Sequence, residues 1–186
     1  MITCSPISMS WRSRAGFVLE LRMTHLLVLA LIFGAGLSVM SMAAVITDAP
    51  LDNEDIASQA ALFCLLYQIS ILVHELGHGL AGRAVGLRWT KLALGWRVYV
   101  HIRPQATYAQ QVVISFTGPF LHALCGVLMI LLGQGSLTVL ISGVVITLEG
   151  VLNLLLPVHR NTDATKLYRS IWHTLRGRGT LRHEPT

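Results

Sequence analysis

Charged side chains are scarce in this chain. Asp, Glu, Lys and Arg make up 12% of its 186 residues, whereas a soluble domain carries about a quarter. A disordered chain, which needs high charge and low hydrophobicity, is excluded, and an ordinary cytosolic enzyme is a poor fit. Cysteine is nearly absent too. Cys4, Cys64 and Cys125 lie far apart, form no CxxC pair and sit in or beside apolar runs. They read as buried or lipid-facing thiols, with no disulfide framework or cysteine metal site. What is abundant is apolar: 53% of the residues. The net charge of +5 would point to nucleic acid in a soluble protein; with this apolar excess it points to a bilayer.

Four apolar stretches are long enough to cross a membrane. The first, 24–46, holds no charge and as a helix is about 34 Å long, against the ~30 Å hydrocarbon core. The second, 56–81, is uncharged up to Val73 and then meets His74 and Glu75. No Asp, Glu, Lys or Arg occurs between Arg103 and Glu149. That run is too long for one span, and its one good break is the turn-forming Gly133-Gln134-Gly135-Ser136. It splits into spans 110–132 and 137–158. Pro119 is expected to kink the former, and Gly118 to let a neighbouring helix approach. None of these runs alternates with the period of a barrel strand.

The basic residues are confined. Arg12, Arg14 and Arg22 precede the first span; five lie between the second and third; the rest follow the fourth. The connections 47–55 and 133–136 have none, and 47–55 instead carries Asp48, Asp52, Glu54 and Asp55. The positive-inside rule then places both termini and the 82–109 connection in the cytoplasm, with the acidic connection outside. A competing reading takes 1–43 as a signal peptide ending at Ser41-Met42-Ala43.

At the inner end of the second span stands His74-Glu75-Leu76-Gly77-His78, an HExxH motif. On a helix, positions i and i+4 differ by about 40° around the axis, so both imidazoles point one way. They form two-thirds of a catalytic zinc site, with Glu75 beside them as a proton acceptor. An intramembrane His-Glu pair is costly and is read as functional. The third ligand must lie at the same depth; Asp163, His159 and Glu149 are the candidates.

These residues resemble the site-2 protease family of intramembrane zinc metalloproteases. The likeness rests on HELGH followed by Gly79-Leu80-Ala81, on Gly118-Pro119 in the next span, and on Asn153 … Pro157 followed by Asp163. This chain has His122 where the family often has Asn. Its Asn and Pro are one residue further apart than usual, and Ala164 replaces a Gly. The resemblance implies one Zn2+ held by His74, His78 and Asp163, with Glu75 catalytic. It also implies that Asn153 binds the substrate or transition state through its amide; the plainer reading of an intramembrane Asn is a hydrogen bond between helices. Glu149 reads as a buried acid, a partner for a zinc-binding His, or a ligand. His122 reads as a packed imidazole.

Leu92, Leu94, Trp96, Val98, Val100 and Ile102 alternate with small or polar residues, the period of a half-buried strand. The segment is expected to form a surface hairpin or an edge that pairs with an extended substrate. From Tyr168 to Arg182, basic and apolar residues alternate, with Ile171, Trp172 and Leu175 on one helical side, as in a short amphipathic helix on anionic lipid.

The expected fold class is therefore an all-α integral membrane protein with about four transmembrane helices and a short amphipathic β-hairpin or loop between spans two and three. Residues 1–23 are expected to be a cytoplasmic segment, 56–170 the metalloprotease core and 171–186 a basic cytoplasmic tail. The expected function is hydrolysis of membrane-spanning proteins near the cytoplasmic face of the cell membrane. The partners are substrate and lipid, with no nucleic acid, and nothing specifies an oligomer. The alternative is a non-proteolytic membrane protein of the same fold, binding metal or a partner. A transporter or di-iron lipid enzyme is disfavoured, because there is one HExxH and no internal repeat.

Overall fold

The computed structural model describes residues 2–4, 8–13, 16–47, 53–95, 98–103, 105–158 and 162–177. Asp48 and Asp52 of the acidic connection, Trp96 of the hairpin, the candidate ligand His159, and Arg14, Arg97, Arg160, Arg178 and Arg182 lie outside them.

Among the described residues, four helices are long and apolar enough to cross a membrane: α1 (Thr24–Thr47), α2 (Asn53–Ala84), α3 (Tyr108–Leu132) and α4 (Leu137–Leu155). Many of their apolar side chains face outward, including Leu27, Leu31, Leu131 and Leu148. A bilayer would solvate these groups, and water would not. Contact between helices falls at small residues. Gly36 of α1 lies against Ala60 of α2, Gly77 of α2 against Gly118 of α3, and Gly150 of α4 against Ala123 of α3. Close backbone approach of this kind replaces the hydrophobic effect, which lipid abolishes.

Helix ends follow local chemistry. Thr107 caps α3 through a capping box with Gln110. α4 stops at Leu155, three residues short of the expected 158. Pro157 lacks an amide and forces Leu156 out of the helical region, to φ −105° and ψ 105°. α3 runs unbroken through Pro119.

The β-structure exceeds the expected hairpin. β4 (Arg88–Leu94) and β5 (Val98–Arg103) pair antiparallel, with a bulge between Trp89 and Lys91. The segment 1–23, read from sequence without secondary structure, supplies three more strands: β1 (Ile2–Cys4), β2 (Ser8–Arg12) and β3 (Val18–Arg22). They complete a five-stranded sheet in the order β1-β2-β3-β4-β5, in which β3 and β4 are parallel. Register puts Met9, Trp11, Leu19, Leu21, Leu92 and Val100 on one face, and Arg12, Glu20, Lys91 and His101 on the other. Glu20 accepts from Lys91 and from Arg22 (2.6 Å) across the polar face.

β3 runs directly into α1, and β4 directly follows α2. Their pairing therefore places the N-terminal segment and the α2–α3 connection at the same end of the helices. There the sheet covers the last turns of α2: the Trp89 ring packs on Gly79, and Ile102 packs on Gly82. The amphipathic tail helix, α5 (Asp163–Leu175), starts five residues earlier than expected, capped by Thr162. It buries Ala164, Leu167 and Ser170 and leaves Trp172 and Leu175 exposed.

Candidate metal centre

α2 carries His74, Glu75 and His78 into the end of the molecule where α3, α5 and β5 meet. Helical spacing brings the two imidazoles together, with ring centroids 4.8 Å apart and edge to face. His78 is fixed from behind. Its Nδ1 donates to the Ile114 carbonyl of α3 at 2.7 Å, which directs the Nε2 lone pair the other way. The ring lies directly on Gly118, where a Cβ would come within 2.3 Å of it. The expected role of Gly118, close helix approach, thus has a definite object.

Asp163 arrives from the first position of α5. Its Oδ2 lies 3.1 Å from His74 Nε2 and 3.3 Å from His78 Nε2, and the two Nε2 atoms are 3.1 Å apart. Two ligands of a tetrahedral zinc ion stand about 3.3 Å apart. The donor set, two imidazole nitrogens and a carboxylate, is also that of hydrolytic zinc enzymes. The residues present fit such an ion. Burial alone would push the Asp163 carboxyl up, but the His74 imidazole facing it and Lys166 nearby outweigh this and hold the carboxyl well below the usual carboxylate range. The open end of α5 favours its negative charge as well.

The longer Asn153–Asp163 spacing thus still delivers this carboxylate to the histidines. Glu149, a rival for third ligand, points instead to His122, with Oε2 3.5 Å from its Nε2. Asn153 lies further along α4 and lines the same cavity as His74, Glu75, His78 and Asp163, a space of about 940 Å³.

Sequence reasoning missed two features of the site. The amide of Val100 in β5 donates to Glu75 Oε2 at 3.0 Å, a backbone contact with no residue signature. Gln68 of α2 also lines the cavity, its Nε2 3.5 Å from His25 Nε2 and its Oε1 buried without a partner among the described residues. His25 in turn donates from Nδ1 to the Gly95 carbonyl at 3.2 Å.

No protein-family model and no curated protein matches the chain by sequence. Among solved structures, the site-2 protease from Methanocaldococcus jannaschii superposes with a TM-score of 0.57 at 18% identity, covering 90% of this chain and 72% of that one. The chain shares the fold of that structure.

Proposed function

We propose that the chain is an intramembrane zinc metalloendopeptidase that hydrolyses peptide bonds of membrane-spanning proteins. One observation carries this reading: His74, His78 and Asp163 converge beside Glu75 in a cavity walled by apolar helices. The three would hold Zn2+, whose chemistry is to acidify water and polarise a carbonyl. Glu75 takes the proton as water oxygen bonds to the scissile carbonyl carbon. As the C–N bond breaks, Glu75 returns the proton to the leaving amine. The Val100 amide orients the Glu75 carboxylate during both transfers. The Asn153 amide holds the substrate backbone. A helical substrate must unwind first, since an intact helix hides its carbonyl carbons, and β5 offers an edge on which the extended segment can pair.

Orientation follows from charge. The N-terminal segment and the α2–α3 connection share one end of the molecule, and both are basic. We place that end, with both termini, in the cytoplasm of a cell membrane. Water then reaches the cavity from the cytoplasmic side.

Glu75→Gln tests the reading. It is expected to lower cleavage by about 10²–10⁴-fold, the usual worth of a general base, while leaving bound zinc unchanged. Membrane proteomes of cells carrying either form should differ by accumulated substrates in the variant. Wild-type cleavage by Glu75→Gln would refute the mechanism.

A further inference from the structure

His122 of α3 is 2% exposed, and its two nitrogens have different surroundings. Nδ1 faces the Ser70 carbonyl at 3.1 Å. A carbonyl only accepts, so Nδ1 carries the proton and Nε2 presents a lone pair. Nε2 is buried with no hydrogen-bond partner among the described residues. The group it faces, Glu149 Oε2 at 3.5 Å, is also an acceptor. The separation exceeds the 2.7–3.2 Å span of an N–H···O bond. It matches the roughly 3.3–3.5 Å between a nitrogen and an oxygen ligand on one tetrahedral ion.

The same arrangement occurs at His78, whose Nδ1 is also tied to a backbone carbonyl while Nε2 faces a carboxylate 3.3 Å away. Zinc-binding histidines are held in this way, with the distal N–H donated to a carbonyl or carboxylate. Glu149 lies near the Tyr67 hydroxyl. His122 and Glu149 both line the cavity, so water can complete the coordination sphere. The His122 ring stands edge-on to His74, centroids 5.5 Å apart.

We propose that His122 and Glu149 form a second divalent-cation site, adjacent to the first and selective for zinc or a similar late first-row metal. It uses none of the three residues of the first centre, so it stands or falls separately from the peptidase reading.

The test counts metal. The full-length chain, purified in detergent and stripped with chelator, is equilibrated with Zn2+ and freed of excess ion. Bound zinc is then measured per chain, with helicity and size-exclusion profile as checks on folding. Wild type is expected to hold two ions. Glu149→Gln, which keeps the side chain's shape, and His122→Asn are each expected to hold one, a twofold drop. Asp163→Asn should lose the other ion, and the Asp163→Asn/Glu149→Gln double variant both. Glu149→Gln alone decides the matter if His122→Asn fails to fold. One ion in wild type, kept in Glu149→Gln and lost in Asp163→Asn, overturns the second site and leaves the first. One ion lost in Glu149→Gln and kept in Asp163→Asn supports this site and removes the first. A wild-type count left unchanged by Glu149→Gln means the pair shares a proton and not a metal.

Discussion

Gly118→Ala adds one methyl group against the imidazole of His78, a proposed metal ligand. An ideal Cβ at this position stands 2.3 Å from His78 Cε1 and 2.4 Å from its Nε2. Carbon contacts settle at about 3.5–4.0 Å, so ring and helix must separate by roughly 1.2 Å. α3 has little room to retreat. Its far side lies against α4, where a Cβ on Gly150 would meet the Ala123 amide nitrogen at 2.6 Å. The His78 ring therefore takes up the shift and draws Nδ1 away from the Ile114 carbonyl. Metal sites tolerate ligand displacements of about 0.2 Å. Zinc affinity should fall by about 10–100-fold, as when the support of a ligand is lost. The overpacked contact should cost about 1–3 kcal/mol of stability besides. Competition against a chromogenic chelator in micelles measures the first effect and thermal unfolding the second. Gly34→Ala is the control: no atom of the described residues lies within 4 Å of its added Cβ, and neither quantity should drop. Wild-type zinc affinity in Gly118→Ala would refute the placement of His78 against α3.

Three further outcomes are expected. Adding Zn2+ at about 100 times the dissociation constant of the His74–His78–Asp163 site should stabilise the wild-type chain by about 2.7 kcal/mol through that site, read as a rise in melting temperature; Asp163→Asn should lose that share of the rise. Gly150→Leu forces α3 and α4 apart at Ala123 and should lower the melting temperature, whereas Gly135→Leu, in open space, should fold normally. Lys91 and Arg22 hold the Glu20 carboxyl below its usual value of 4.5, so its stabilisation is present above that value and lost as pH falls through the lowered one. The difference in melting temperature between wild type and Glu20→Gln should accordingly be full near neutrality and vanish in strong acid.

Some of this was legible in the sequence, and the physics explains which parts. HELGH is a local signal: helical spacing alone sets His74 beside His78. The spans are local as well, each a charge-free run bounded by turn residues. Asp163 was reachable because motif order and depth survive small changes in spacing. The three N-terminal strands were not. They are three to five residues long, and β3 depends on a partner beyond two intervening helices. The Val100–Glu75 contact is made by an amide that every residue but proline carries. His122 and Glu149 sit on different helices, and spacing gave the depth of Glu149 without showing which group it faces. The end of α4 at Leu155 was readable from Pro157, whose reach extends two residues back.

The parallel pairing of β3 with β4 also fixes an order of assembly. Val18 pairs with Lys91, and α1 and α2 lie between them in the chain. β3 leaves the ribosome before its partner exists, so its edge stays open while both helices enter the membrane. Once β4 emerges and closes the ladder, the near end of α1 is clamped to the sheet that supports Glu75. From then on α1 is fixed at its sheet end and rests on α2 along its length through Gly36 and Ala60. If it swings aside to admit a substrate from the lipid, its acidic end must travel while the end at Thr24 acts as the pivot.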